Sequence, residues 1–600
     1  MNDIDTLLVH PEVRSDPRLR ELLLVLTLPT GLSSAGFPYL ERPAWERLRD
    51  WTPMLFAEGH ALWRAGQRLE QLVATTPLEP ILAPSLRVLQ QILRTAAVTA
   101  PPDLWLLRQV LGGLAQVGLS EQILAGKVIH AEQMRGLLAD ELNIDLQLLL
   151  ARGYLTPADG GLRLASSPSA ARVFREVGPR PVDHPIDASV LWTELFAGRA
   201  LARMIARIAP LVAAPPPAPA PHAAPAWIAT PEDIAIGSVL VPVVLGLRAA
   251  NRIPEALQRG RLDADWLCDA PDVANNLMPW LRAAGVVEPD DALTPLGRRV
   301  LEKGPGPFGI IETYHPFLVD LPALWAEGRG RVRVRRAANI AASLDANRET
   351  FRRANDSLDR LCLDTGFRYN VFIEHALGYG EATRQRWQRA KDKPLVYVGA
   401  DLEAEAIEAA KLEQKAGHLP PGMLFVDGAD IADPTSLFRA LRIAGHATRG
   451  AVMLVGNGFH EVRNAHEERL EAVFRAYERA GVVLVFTEAS ALSTEDLLNT
   501  AWNTYHAGFR YVHARSGQGL RPASPAPPPR VGEPLPPSWT TVAARAGYVR
   551  AARYCTRSRT IYPYPPVDGH NPSISENHVL LPRRIAQRHG FPLETGARHG

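Results

Sequence analysis

The chain has 600 residues, 46% of them hydrophobic and 22% charged, which suits about four soluble globular domains and excludes wholesale disorder, collagen and coiled coil. Lys and Arg total 66 against 64 Asp and Glu, a net +2, so the chain as a whole is no polyelectrolyte built for nucleic acid. Three cysteines (Cys268, Cys362, Cys555) exclude a disulfide framework or a cysteine-based zinc site. The opening residues lack a basic-then-apolar signal pattern, and the longest apolar runs fall short of the roughly 20 residues a membrane span needs. A cytoplasmic protein without membrane contact is therefore expected. Proline is high, 52 of 600, and concentrated in two stretches that punctuate the chain.

Residues 1–95 read as a helical region, with apolar residues at helical spacing in LRELLLVLTL. Residues 96–210 read as a degenerate winged-helix-like domain, 211–226 as an extended Pro/Ala-rich linker, and 227–335 as a second winged-helix or lid domain. The two winged-helix segments, 104–164 and 234–297, each end in a helix, a small-residue turn and two β-prone pieces around a Pro/Asp/Gly turn. The second candidate recognition helix, DAPDVANNLMPWLRAA, is acidic and apolar, with Asn275, Asn276 and Arg282 as its candidate contacts. That chemistry suits packing or homodimerisation better than phosphate binding. The basic run GRGRVRVRR at 328–336 reads as a solvated segment, or as a receiver for an acidic partner surface.

From 336 to 565 the pattern changes to short apolar runs alternating with helical stretches. Five strands are expected, in YNVFIEHA, PLVYVGAD, GMLFVDGAD, AVMLVGNG and GVVLVFTEA, with helices between them. This predicts an α/β fold, a Rossmann-like doubly wound sheet preceded by helical and winged-helix domains. The Pro-rich stretch 521–537 reads as a surface insertion and 566–600 as a C-terminal tail. Such sheets bind ligands beyond the carboxyl ends of their strands. The residues there are Glu374, Ala376, Gly378 and Gly380 after the first strand, Asp401 and Leu402 after the second, Asp430 and Ile431 after the third, and Asn457 to His460 after the fourth. A carboxylate at Asp401 suits ribose hydroxyls. Glu381 beside the glycine turn disfavours a pyrophosphate and tolerates a sulfonium.

This order resembles the class I S-adenosylmethionine-dependent methyltransferases over about residues 340–560. The family's acidic residue and Gly-x-Gly-x-Gly turn correspond to Glu374, Ala376, Gly378 and Gly380, with the first glycine replaced. The resemblance implies that Asp401 holds the ribose, that Asp430 faces the adenine amine, and that Asn457 to His460 face the acceptor. The stretches 339–387, GNGFHEVR at 456–463 and TYHAGFRYVHARSGQGLRP at 504–522 are similar to methyltransferase domains that open apratoxin- and saxitoxin-type polyketide assembly lines. That closer resemblance implies methylation of a malonyl-like group on a carrier protein, with a bound transition metal such as Fe or Mn. Candidate ligands for such an ion are His460, Glu488, His506 and Gln518, and candidate catalytic residues are His460 and Tyr505.

Three alternatives stay open. One is an oxygen- or nitrogen-methyltransferase of a small metabolite, dimerised by its winged helix, with His460 as a plain base. A second is a winged-helix regulator whose degenerate methyltransferase domain senses a metabolite. The third is a scaffold docked to a synthase through residues 1–210.

Overall fold

The computed structural model describes residues 3–28, 30–32, 38–41, 43–44, 55–74, 76–178, 188–217, 229–332, 336–391, 393–462, 465–500, 506–557 and 574–592. Tyr505, most of the Pro/Ala-rich linker and Arg333 to Arg335 of the arginine run lie outside these residues.

In the first half, α1 (Leu55–Val73) packs on the long α2 (Glu79–Gln116). After α2 come α3 (Ala139–Ala151) and a hairpin of β1 (Leu155–Ala158) and β2 (Gly161–Leu164). The hairpin turns on Asp159 and Gly160, both left-handed, as a tight Asp-Gly turn requires. Ile129 bridges back to Leu162. The same parts recur further on: α4 (Pro231–Ala249), a bridge from Arg261 to Ala292, α5 (Pro271–Ala283), then a turn closed by a Val287–Leu293 bridge. Arg282 pairs with Asp291 at 2.6 Å, which occupies one of the candidate phosphate contacts.

The expected boundary at 95/96 falls inside α2. Pro101 and Pro102 lie within that helix, although each removes an amide donor. Burial carries the helix through them, because residues 98 to 107 are all buried in one apolar core. That core runs from Leu7 to Trp325 and also takes in Leu492, Leu497, Ala507, Tyr511 and Val512 from the second half. Among the described residues no single helix is long and apolar enough to cross a membrane. One bent pair, Pro231–Ala249 with Ile253–Arg259, passes on length and composition only, and much of its apolar surface is buried in this core.

The second half opens with α6 (Arg336–Thr365) and then alternates: β3 (Val371–His375), α7 (Glu381–Arg389), β4 (Val396–Ala400), α8 (Ala404–Lys415), β5 (Leu424–Val426), α9 (Thr435–Ile443), β6 (Val452–Gly456), α10 (Glu467–Ala480) and β7 (Val483–Ala489). The five expected strands are present, and they pair in parallel. Next come α11 (Thr494–Thr500) and α12 (His506–Ser516), which leave the sheet and pack into the helical core. α13 (Trp539–Arg545), β8 (Tyr548–Arg550), β9 (Thr556–Arg557) and β10 (Ser575–Pro582) complete the unit. The sheet runs β8–β10–β7–β6–β3–β4–β5, with β9 beside β10, and β10 is antiparallel to β7, β8 and β9. Its faces are covered by two separate apolar layers, one under α9, α10 and α13 and the other under α6 and α8. The result is a mixed α/β fold with a mostly parallel central sheet.

One expectation needs correction here. Residues 566–600 are not simply a tail: β10 lies inside the sheet and seven of its eight residues are buried. The Pro-rich stretch 521–537 contains no helix or strand, yet it is pinned along its length. Arg521 donates to the Ala465 and Pro537 carbonyls at 2.8 and 2.9 Å, the Arg530 amide donates to Glu495, and Glu533 accepts from Asn143 of α3. Proline's missing donors cost nothing in a strap held by its carbonyls and side chains.

Candidate functional site

The carboxyl ends of β3 to β7 meet at one edge of the sheet. Glu374 ends β3 with both oxygens engaged, accepting from the Ala382 and Thr383 amides at the start of α7 (3.1 and 2.6 Å). It thereby ties strand to helix across the glycine turn. Burial pushes its pKa up to about 7 despite those donors. Ala376 has φ +56, a left-handed conformation that glycine adopts more readily than residues with a side chain. A side chain at Gly380, also left-handed, would run into Leu419.

Asp401 follows β4. One oxygen accepts from the Gly378 amide at 3.1 Å and the other from the Glu403 amide at 3.0 Å, and burial raises its pKa. A carboxylate has about four acceptor positions, so capacity for ribose hydroxyls remains. Leu402 beside it is 45% exposed, an apolar face on the rim, whereas Ile431 is nearly buried. Asp430 accepts from the Ala432 amide at 2.8 Å. Asn457, left-handed at φ +54, accepts from the Ala489 amide and donates to Asn347 at 3.2 Å each. A methyl group at Gly458 would sit 3.2 Å from Ala376 and 3.5 Å from Ile431, so the loops after β3, β5 and β6 converge.

The chemistry around this rim fits an adenosine-type cofactor: an acid for sugar hydroxyls, apolar Leu402 and Ile431 for a base, and Asp430 for an amine. A further observation supports the fit. His375 is buried, its Nδ1 accepts from the Ala376 amide at 3.0 Å, and its Nε2 has no partner among the described residues. That leaves a donor at the rim for a bound group to satisfy.

Beside this rim is a second cluster. Glu488, fully buried at the end of β7, accepts from the Phe459 amide through Oε1 and from His460 Nδ1 through Oε2, both at 2.6 Å. The His460 ring stacks edge-on against His513 with centroids 5.0 Å apart. His513 Nδ1 bonds the Phe509 carbonyl at 2.7 Å, and its Nε2 lies 3.4 Å from the Tyr314 hydroxyl, which donates to Gln518 Oε1 at 2.9 Å. Tyr314 reaches this cluster from the helical half.

The four candidate metal ligands do not come together as a set. His460 Nδ1 is spent on Glu488, His506 Nε2 lies 3.0 Å from the Ile574 carbonyl, and Gln518 Oε1 accepts from Tyr314. Among the described residues no group of three or more His, Cys, Asp or Glu is placed to hold a metal ion. The donor set does not fit such an ion. Tyr505 lies outside the described residues.

Sequence reading missed Glu141 and Asp145 of α3, which anchor α12. Arg515 donates to Glu141 at 2.7 Å and pairs with Asp145, which also accepts from Tyr511 (2.7 Å) and Trp325 (2.6 Å). The one available signal was the seven-residue spacing of His506 and His513, which puts both on one helix face.

Burial holds the pKa of His375, His506 and His578 down to about 4, and that of His513 well below 6.5. These imidazoles stay neutral in the fold and gain a proton on unfolding. Their stabilising contribution is therefore complete above pH 6.5 and is lost as pH falls toward 4. Glu374, raised to about 7, has the opposite sign: its contribution is present below 4.5 and is lost as pH rises through 7. With four imidazoles acting in one direction, the urea unfolding midpoint is expected to be lower at pH 5 than at pH 7. Equal midpoints would contradict this account.

No family model and no curated protein matches the chain. Solved structures do. A citrinin polyketide synthase CMeT domain is 13% identical over 88% of this chain and 95% of its own, with a TM-score of 0.33. The CurJ carbon methyltransferase is 13% identical over 86% and 99%, with a TM-score of 0.33. A putative O-methyltransferase from Nostoc punctiforme PCC 73102 is 10% identical over 57% and 98%, with a TM-score of 0.34. All three scores are below 0.5, so the functional reading rests on the residues of this chain.

Proposed function

We propose that the protein is an S-adenosylmethionine-dependent methyltransferase of secondary metabolism that acts on a small or carrier-bound acyl acceptor. The observation that carries this reading is the pairing, at one sheet edge, of Asp401 tied to the glycine turn with a buried His460–Glu488 dyad. The cofactor supplies an electrophilic methyl group. Asp401 would hold the ribose, Leu402 and Ile431 the adenine faces, and Asp430 the adenine amine. Glu374 sets the turn from below.

On the acceptor side, the Glu488 carboxylate accepts a hydrogen bond from the Nδ1–H of His460, which fixes the tautomer and leaves the ring's lone pair on Nε2. His460 then removes a proton from an acceptor C–H flanked by carbonyls, or from a hydroxyl, as the methyl group arrives. The neutral His513 beside it adds no competing positive charge. Methyl transfer needs alignment and exclusion of water, which the helical half would provide by covering this edge. The dyad favours the base mechanism over metal chelation, for either a carbon or an oxygen acceptor. In this reading the two hairpin-bearing helical segments are winged helices used for packing or for a homodimer, not for nucleic acid.

The test is calorimetry with S-adenosylmethionine. Wild type should bind at micromolar concentration, and Asp401→Ala should weaken binding by about 1–3 kcal/mol, the usual worth of hydrogen bonds to a charged group. Equal affinity for the two proteins would remove the nucleotide site from the account.

A further inference from the structure

A cleft of about 260 Å³ opens between α3, α12, the loop at 518–520 and the Pro-rich strap at 533–536. Part of its wall is apolar, with Ile144 and Leu148 from α3, Leu520 from the loop and Leu535 from the strap, while Gln147, Gln518 and the strap's Glu533 add polar surface. Two polar residues of α12 line it, His513 and Arg510, three positions apart and so neighbours on one helix face. His513 packs on the His460 ring, and the Gly519 amide donates to the His460 carbonyl at 3.2 Å, so this end of the cleft adjoins the dyad.

Arg510 is the unusual group. Its Nη1 donates to the Leu492 carbonyl at 3.1 Å and its Nη2 to Thr494 Oγ1 at 3.2 Å. Among the described residues it forms no ion pair. Burial depresses its pKa, so the fold bears a cost for keeping a desolvated cation there. Glu533, on the strap, is the carboxylate that acts on it through space, but that carboxylate accepts instead from Asn143 at 3.0 Å. A guanidinium has five donors in a planar fork, suited to a carboxylate. The cleft therefore presents an apolar wall, an anion receptor one helical turn from the dyad's neighbour, and a volume at the small end for ligand sites.

We propose that this cleft is the acceptor subsite and that its ligand is a short aliphatic acyl group bearing a carboxylate, with Arg510 binding the carboxylate. The proposal rests on the methyl-transfer reading and deepens it by naming the substrate class. The strap makes the outer wall, which gives the Pro-rich stretch a role that its sequence did not suggest.

Hexanoate and its neutral analogue hexanamide test it, titrated by calorimetry into the full chain, with S-adenosylhomocysteine titrated into the same samples. Wild type should bind hexanoate at least tenfold more tightly than hexanamide. Arg510→Gln should abolish that preference and Arg510→Lys should retain part of it. Leu535→Trp, which fills the cleft from the strap, should weaken both ligands and leave S-adenosylhomocysteine affinity unchanged. If Arg510→Gln does not fold, the wild-type preference and the Leu535→Trp result still decide. Equal binding of the two probes, or a preference that survives Arg510→Gln, overturns the proposal. Binding of S-adenosylhomocysteine without hexanoate would sink this subsite and spare the methyltransferase reading. Binding of hexanoate without S-adenosylhomocysteine would sink the methyltransferase reading and, with it, the assignment of this cleft as an acceptor subsite.

Discussion

His460→Ala is expected to lower methyl transfer by about 10²- to 10⁴-fold, the range that positioned proton transfer contributes, while S-adenosylhomocysteine binds as it does to wild type. Glu488→Gln should fall in the same range for a different reason. In wild type one carboxylate accepts from both the Phe459 amide and His460 Nδ1. An amide replaces one of these two oxygens by NH2, which cannot accept from the donor it would face. It would turn an N–H toward the imidazole or the backbone, and the ring would lose its fixed tautomer. The readout is S-adenosylhomocysteine released in the presence of an acyl acceptor, followed against pH. Wild type should show an acidic limb from protonation of the base, and His460→Ala should lack it. A His460→Ala enzyme that retains the wild-type rate and limb would leave Asp401's role intact and remove the base.

The second large effect concerns stability. Arg515 has no exposed side-chain surface and neutralises Glu141 and Asp145 together. Arg515→Ala leaves the buried Asp145 without its cation, while Glu141 keeps Arg329 at 2.8 Å, and removing one partner of a buried pair costs about 3–5 kcal/mol. Tyr511 and Trp325 still donate to Asp145, but neutral donors offset only part of the lost charge. The loss should appear as a lower urea midpoint, with Leu363→Ala, at an 84% exposed position, as the unaffected control. Arg515 lies on α12 together with Arg510 and His513, so the same variant should weaken hexanoate binding in its folded fraction. Gly508 supplies a parallel check. It faces Asp103, itself in a buried pair with Arg152, and a side chain at Gly508 would collide with that carboxylate and with Leu106. Gly508→Val should therefore separate α12 from α2 and destabilise the chain as well.

The sequence by itself determined the five parallel strands and the residues at their ends. Each strand is a run of a few apolar residues, three of the five closed by Gly, Asp or Asn, followed by a helical period, and the local pattern is enough to set backbone conformation and side-chain direction. Glu374, Asp401, Asp430, Asn457 and His460 could be placed at one edge for that reason alone. Tertiary structure decided the rest. SENHVLLP at 575–582 has no flanking period to mark it as a central strand, and only its antiparallel pairing with β7 places it inside the sheet. Pro101 and Pro102 signal a helix end, and surrounding burial overrides them. The candidate metal set looked plausible because its four residues follow one another along the chain, but sequence order carries no information on where ring nitrogens point. The clamp on α12 joins residues 374 positions apart, Glu141 and Arg515. No local period encodes such a pair, since its energy comes from desolvating two charges against each other, and that exists only once the two halves have packed.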